Sequence, residues 1–203
     1  MRSLWIVVFI VQGLSSLAWA AEQTSLSSKI SVRTGVGSLQ NTGNEPGTTA
    51  ANGGLDLDYL YFLNPRLAIG VGYAAQFDTS SGISPVAGLE ILVRKYFMND
   101  GTRVKTTDSW GSYESASTWS PYVLGLYGMR QFYLGPDIES SDPTKTLTGT
   151  YSVINVGVGV DHHLSGSLEW NAELSRSLIA FASSDPRVKI SETMIWVGLN
   201  YVF

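Results

Sequence analysis

Ionisable side chains recur in this chain at every second or fourth position, the spacing that brings side chains to one face of an extended strand. Asp56 and Asp58, Glu90 and Arg94, and Glu169 and Glu173 are the clearest sets, and Arg33, Arg130, Arg176 and Glu192 stand in similar settings. Paired carboxylates can divide acid and base roles, and a file of acids and arginines can relay protons or ions. The same pattern serves a packed interior, because a charge taken from water is costly unless it is paired. Asp56, Asp58, Glu90, Arg94, Arg130, Glu169, Glu173 and Glu192, with Arg33 and Arg176, are therefore expected to form a structural ion-pair network, in preference to a catalytic or conducting one.

Other chemistry is thin. The chain has no cysteine, which excludes a disulfide framework, a thiolate metal centre and a lipid-bearing thiol. Its two histidines, His162 and His163, are adjacent and have no further ligand cluster nearby, so neither a metal nor a cofactor is expected.

The elements that must position these residues alternate with period two. Ile30, Val32, Thr34 and Val36 oppose Lys29, Ser31, Arg33, Gly35 and Gly37 in a segment at about 28–39. Leu55, Leu57, Tyr59, Tyr61 and Leu63 oppose Asp56 and Asp58. After a tight turn at Asn64-Pro65-Arg66, the segment at about 67–78 sets Ile69, Val71, Tyr73, Ala75 and Phe77 against Gly70, Gly72, Ala74 and Gln76. The segment at about 84–97 sets Leu89, Ile91 and Val93 against Gly88, Glu90 and Arg94. In the segment at about 121–134 the inward face is ambiguous, although Arg130 is expected inside. Ile154, Val156, Val158 and Val160 oppose Asn155, Gly157, Gly159 and Asp161, and a turn is expected through His162 to Gly166. The segment at about 167–180 sets Leu168, Trp170, Ala172 and Leu174 against Glu169, Asn171, Glu173 and Ser175. The last, at about 188–203, sets Ile195, Val197, Leu199, Tyr201 and Phe203 against Glu192, Met194, Trp196, Gly198 and Asn200.

The N-terminus reads as a cleaved signal peptide over residues 1–20: Arg2, the apolar run Leu4 to Val11, then Ala18-Trp19-Ala20. Removing Arg2 from the 13 Lys and Arg leaves 12 against 17 Asp and Glu, a net charge of −5 and the wrong sign for a nucleic-acid partner. The remaining 21–203 has the length of one domain and contains no long apolar run. Only helices and closed barrels satisfy every backbone group in lipid, so membrane entry would have to be by strands of about 9–11 residues.

The ending Ile195, Val197, Leu199, Tyr201, Phe203 resembles the C-terminal strand by which bacterial outer-membrane proteins are recognised for assembly. Gly88 to Phe97 and Ser120 to Gly128 resemble the fourth strand and the start of the fifth in the OmpA/OmpX-like outer-membrane β-barrel-domain class, and the likeness covers nearly all of the mature chain. It implies an all-β, antiparallel up-and-down transmembrane barrel of eight strands in the outer membrane of a Gram-negative-type bacterium. The partners it implies are outer-membrane lipid and lipopolysaccharide, the barrel-assembly machinery and periplasmic chaperones. Barrels of this class serve as anchors, adhesins, enzymes and minor channels, so the resemblance does not select a function.

With both termini periplasmic, residues 99–119 become a long periplasmic connection, extended or a hairpin, with Trp110 and Trp119 packing it against the rim. Loops 40–53 and 135–148 face outward, the second acidic through Asp137, Glu139 and Asp142. An extracellular ligand would bind there, although neither carries the basic cluster that lipopolysaccharide phosphates or heparin-like chains require. The histidines fall at the opposite end from where an outer-leaflet lipid-modifying enzyme needs them and are expected to be solvated turn residues. Tyr59, Tyr61, Tyr73, Trp170, Tyr201 and Phe203 are expected in aromatic girdles at the lipid interface. The expected role is structural or surface-interacting without catalysis. A narrow channel for small solutes or ions is the alternative, and a lipid-modifying enzyme is third.

Overall fold

The computed structural model describes residues 27–41, 49–78, 86–108, 111–136, 146–181 and 189–203. The expected signal peptide, Trp110, and the acidic loop residues Asp137, Glu139 and Asp142 lie outside them.

The strands run β1 Ser28–Asn41, β2 Thr49–Asn64, β3 Leu67–Asp78, β4 Val86–Tyr96, β5 Val104–Asp108, β6 Gly111–Ser115, β7 Trp119–Pro136, β8 Thr146–Ser165, β9 Leu168–Ala180 and β10 Ile190–Val202. Eight of them close a barrel in the order β1-β10-β9-β8-β7-β4-β3-β2, while β5 and β6 form a separate two-stranded hairpin within the connection expected at 99–119. All pairings are antiparallel, and no helix occurs among the described residues.

Closure pairs the first and last strands, β1 and β10. Ile30 faces Tyr201 and Val36 faces Ile195, and beyond the ladder Ser28 N donates to Phe203 O at 2.7 Å and Phe203 N to Ser28 O at 2.9 Å. The ring leaves no unpaired edge, the condition for a sheet to sit in lipid.

Alternation decides the two faces. Along β4, Leu89 and Ile91 are 62% and 59% exposed, whereas Glu90 and Leu92 are 2% and 1% exposed. In β7, where the sequence left the faces open, Tyr122, Leu124, Leu126, Arg130 and Phe132 point inward and Val123, Tyr127 and Met129 outward.

One end of the barrel, the turn end, carries the start of β1, the end of β10, the β2–β3 turn, the β4–β7 connection and the β8–β9 turn; the other is the loop end. The interior is not polar throughout. An apolar cluster of Leu60, Phe62, Ala68, Leu92, Tyr96, Tyr122, Leu124 and Leu126 fills the turn end, and a second of Val86, Phe132, Tyr151, Val153 and Ile190, with Leu39 against it, fills the loop end.

Four expectations are corrected. Arg176 is exposed: inward residues of β9 are the odd-numbered ones, and the alternation holds through Ser175, so Arg176 must face out. The histidines are not in a turn. β8 continues to Ser165, His162 pairs with Trp119 and Trp170, and the reversal is at Gly166, whose φ of 52° is in the left-handed region open to glycine. The loop at 40–53 is shorter than expected, because β1 runs to Asn41 and β2 starts at Thr49; ladder pairing with β1 and β3 overrides the weak strand preference of the small residues at 50–54. The loop at 135–148 is likewise shortened by β7 and β8, which pair as far as Pro136 and Thr146.

Candidate functional site: a filled lumen

Alongside and between the two apolar clusters lie ionised and hydrogen-bonding side chains, from Lys29 at the turn end to Glu192 toward the loop end. They assemble because the inward face of each strand brings its polar residues to similar depths, and three groupings result.

Nearest the turn end, Lys29 Nζ lies 2.7 Å from Asp161 Oδ2 and 2.6 Å from Glu169 Oε2, and donates to Gly101 O at 2.9 Å. Its ammonium is 5.5 Å from the ring centroids of both Phe62 and Tyr96. Asp161 accepts from Tyr96 Oη at 2.8 Å, Asn171 Nδ2 at 2.7 Å and Asn200 Nδ2 at 3.0 Å. Here the β4–β7 connection folds against the barrel mouth. Gly101 N donates to Pro65 O at 2.8 Å, Ser120 Oγ to Asp100 O at 2.6 Å, and a Cβ on Gly101 would collide with the Tyr96 ring.

In the middle, Arg33 binds Asp56 at 2.8 Å, Asp58 at 2.5 Å and Glu173 at 2.6 Å. Arg94 shares Asp58 at 3.0 Å and Glu173 at 3.4 Å, its guanidinium 4.8 Å from the Tyr122 ring centroid. Tyr122 Oη donates to Glu173 at 2.9 Å.

Towards the loop end, Arg130 lies 2.7 Å from Glu90 and 3.5 Å from Glu192. Glu192 accepts from Tyr151 Oη at 2.5 Å and Asn155 Nδ2 at 3.1 Å. Every carboxylate and arginine named as a lumen residue from the sequence is thus inside and paired, except Arg176. Lys29, Asp161 and the tyrosines Tyr96, Tyr122 and Tyr151 belong to the same network. Alternation puts Lys29 and Asp161 on the inward face, and the β4–β7 connection encloses them there.

No protein-family model and no curated protein matches the chain. Among solved structures it is similar to Neisserial surface protein A, with a TM-score of 0.61 at 10% identity over 86% of this chain and 96% of that one. It is also similar to the N-terminal β-barrel domain of Pseudomonas aeruginosa OprF, with a TM-score of 0.53 at 14% identity over 89% of this chain and 100% of that one. The fold is that of the small eight-stranded outer-membrane barrels.

On the outside of this fold the exposed residues are those a soluble protein would bury: Val32, Leu57, Val71, Leu89, Ile91, Val158, Leu174, Val197 and Leu199. Tyr59, Tyr61, Trp170, Tyr201 and Phe203 gather on the outer wall at the turn end, whereas Tyr73 sits in the middle of β3. Trp119 joins the first group rather than packing the connection inward. Its ring is tilted against His162 at 4.1 Å between centroids and meets Trp170 edge-on at 5.6 Å.

The lumen offers little to a substrate. Asp56, Asp58 and Glu90 come within 4.8 Å of one another, as three ligands for a cation would, but Arg33, Arg94 and Arg130 already sit on one oxygen of each and oppose a metal's charge. His162 is on the outer wall, apart from every lumen carboxylate.

Proposed function

We propose that the protein is exported and resides in the bacterial outer membrane as an integral barrel with a structural or surface-interaction role, acting without catalysis. The observation that carries this reading is the interior: filled by buried ion pairs and two apolar clusters, while the outward face of the eight barrel strands is predominantly apolar. An eight-stranded barrel is just wide enough for side chains to fill, which favours a plug over the alternative of a narrow channel. Ile195, Val197, Leu199, Tyr201 and Phe203, on the outer face of the strand that closes the ring, would present the assembly signal to the barrel-assembly machinery. Lipid and lipopolysaccharide would surround the apolar belt, and an extracellular ligand would have only the loop end to bind.

The test joins location and conduction. Cell fractionation should place the protein in the outer membrane, migrating faster unboiled than boiled on a denaturing gel, and the purified protein should give no conductance step in planar bilayers. Recovery in the soluble fraction, or a reproducible unitary current, would overturn the reading.

A further inference from the structure

Buried inside the barrel, among the described residues, are four cations, Lys29, Arg33, Arg94 and Arg130, against seven carboxyl groups, Asp56, Asp58, Glu90, Asp161, Glu169, Glu173 and Glu192. An enclosed surplus of negative charge is expensive and must be relieved by a bound cation or by protons.

The oxygens show where relief is needed. Asp58 Oδ2 is taken by Arg33 and Arg94, and Glu90 Oε2 by Arg130. Their other oxygens, Asp58 Oδ1 and Glu90 Oε1, are buried and bonded to no donor. Both lie beside Gly72, which pairs with Asp58 on one side and Glu90 on the other, and a Cβ there would strike Asp58 Oδ1 and come within 3.2 Å of Glu90 Oε1. A carboxylate oxygen of Asp58 and one of Glu90 lie within 4.8 Å of each other. Two bare carboxylate oxygens would repel at that range, and a hydrogen bond between them needs a proton that neither arginine set supplies.

We propose that Asp58 and Glu90 hold one proton between Oδ1 and Oε1, so that this site in the lumen binds a proton rather than a metal ion. The charged groups facing the pair are Arg33 on β1, Asp56 on β2, Arg94 on β4 and Arg130 on β7, with Glu173 of β9 beyond the first two arginines and Glu192 of β10 beyond Arg130. Three arginines on the other oxygens of the pair oppose a divalent ion, whereas a proton adds one charge and can sit between the free oxygens. β3 contributes no side chain here because Gly72 leaves the space that the pair fills. The inference rests on the fold and the lumen geometry, and is independent of what the protein does in a membrane.

The experiment is infrared difference spectroscopy on the folded, detergent-refolded protein at neutral pH. A protonated-carboxyl C=O absorption is expected in the native protein. It should vanish in Glu90→Gln and in Asp58→Asn, since either amide N–H can donate to the remaining carboxylate in place of the shared proton. Absence of the band from the native protein, or its persistence in both variants, would overturn the proposal, as would one equivalent of tightly held metal in elemental analysis. If neither variant folds, judged by the unboiled gel, the native protein decides. Unfolding it at constant neutral pH should release at least one proton per chain, and release of none would contradict the pair.

Discussion

Lys29 Nζ on β1 lies 2.7 Å from Asp161 Oδ2 on β8, although β10 and β9 separate these strands in the closed sheet. The contact therefore spans the interior and ties the first strand to the far wall beneath the β4–β7 connection. Removing the ammonium leaves Asp161 and Glu169 buried without their cation. Lys29→Met should lower stability by about 3–5 kcal/mol, as breaking a buried pair does. In denaturant titration of the refolded barrel, adding Asp161→Asn should cost less than the two single effects together, because the sites share one interaction.

Arg94 and Arg176 make opposite predictions from the same residue type. Arg94→Leu leaves Asp58 and Glu173 to Arg33 alone in the lumen and should cost about 3 kcal/mol. Arg176→Leu removes an exposed charge from the outer wall, near the loop end of β9, and should change stability by no more than about 1 kcal/mol in lipid. Equal effects would mean that the inward face of β9 is misassigned.

Glycines on the two faces separate in the same way. Gly72→Ala drives a methyl into Asp58 and Glu90 and should destabilise by about 1–3 kcal/mol. A Cβ at Gly125 meets nothing within 4 Å, so Gly125→Ala should be neutral or slightly stabilising when the two are unfolded side by side.

The apolar outer wall predicts a dependence on surroundings. Ile91, in the middle of β4 and outward, should tolerate Leu, whereas Ile91→Arg should cost about 2–4 kcal/mol in a bilayer, the penalty for a cation at mid-depth. Unfolding from lipid vesicles would measure it.

The strand number, the up-and-down order and nearly the whole lumen network were legible in the sequence, because a two-residue period assigns each side chain to a face once one strand is anchored. Arg33, Asp56, Asp58, Glu90 and Glu173 follow from that rule alone. The rest required neighbours. Lys29 and Asp161 lie near strand ends, where a charge can as readily reach solvent, and only the folded β4–β7 connection with Gly101 encloses them. In β7, apolar residues occupy both faces, so composition could not say that Tyr122 and not Val123 points inward; the Glu173 and Asn171 partners of its hydroxyl decide it. The histidines looked like turn residues because Gly166 follows closely, yet Trp119 and Trp170 hold His162 in the ladder. Arg176 invited assignment to the lumen by charge, and strand parity overrules it.

The central claim, an apolar exterior around a sealed lumen, is tested most directly by single-cysteine spin labels along β4, since the native chain has no cysteine to interfere. Labels at Leu89→Cys, Ile91→Cys and Val93→Cys in the vesicle-reconstituted protein should collide freely with oxygen and scarcely with a water-soluble relaxation agent. A label at Leu92→Cys should be shielded from both. Strong collisions of the outward labels with the water-soluble agent would contradict the membrane belt, and strong collisions at position 92 would contradict the plug.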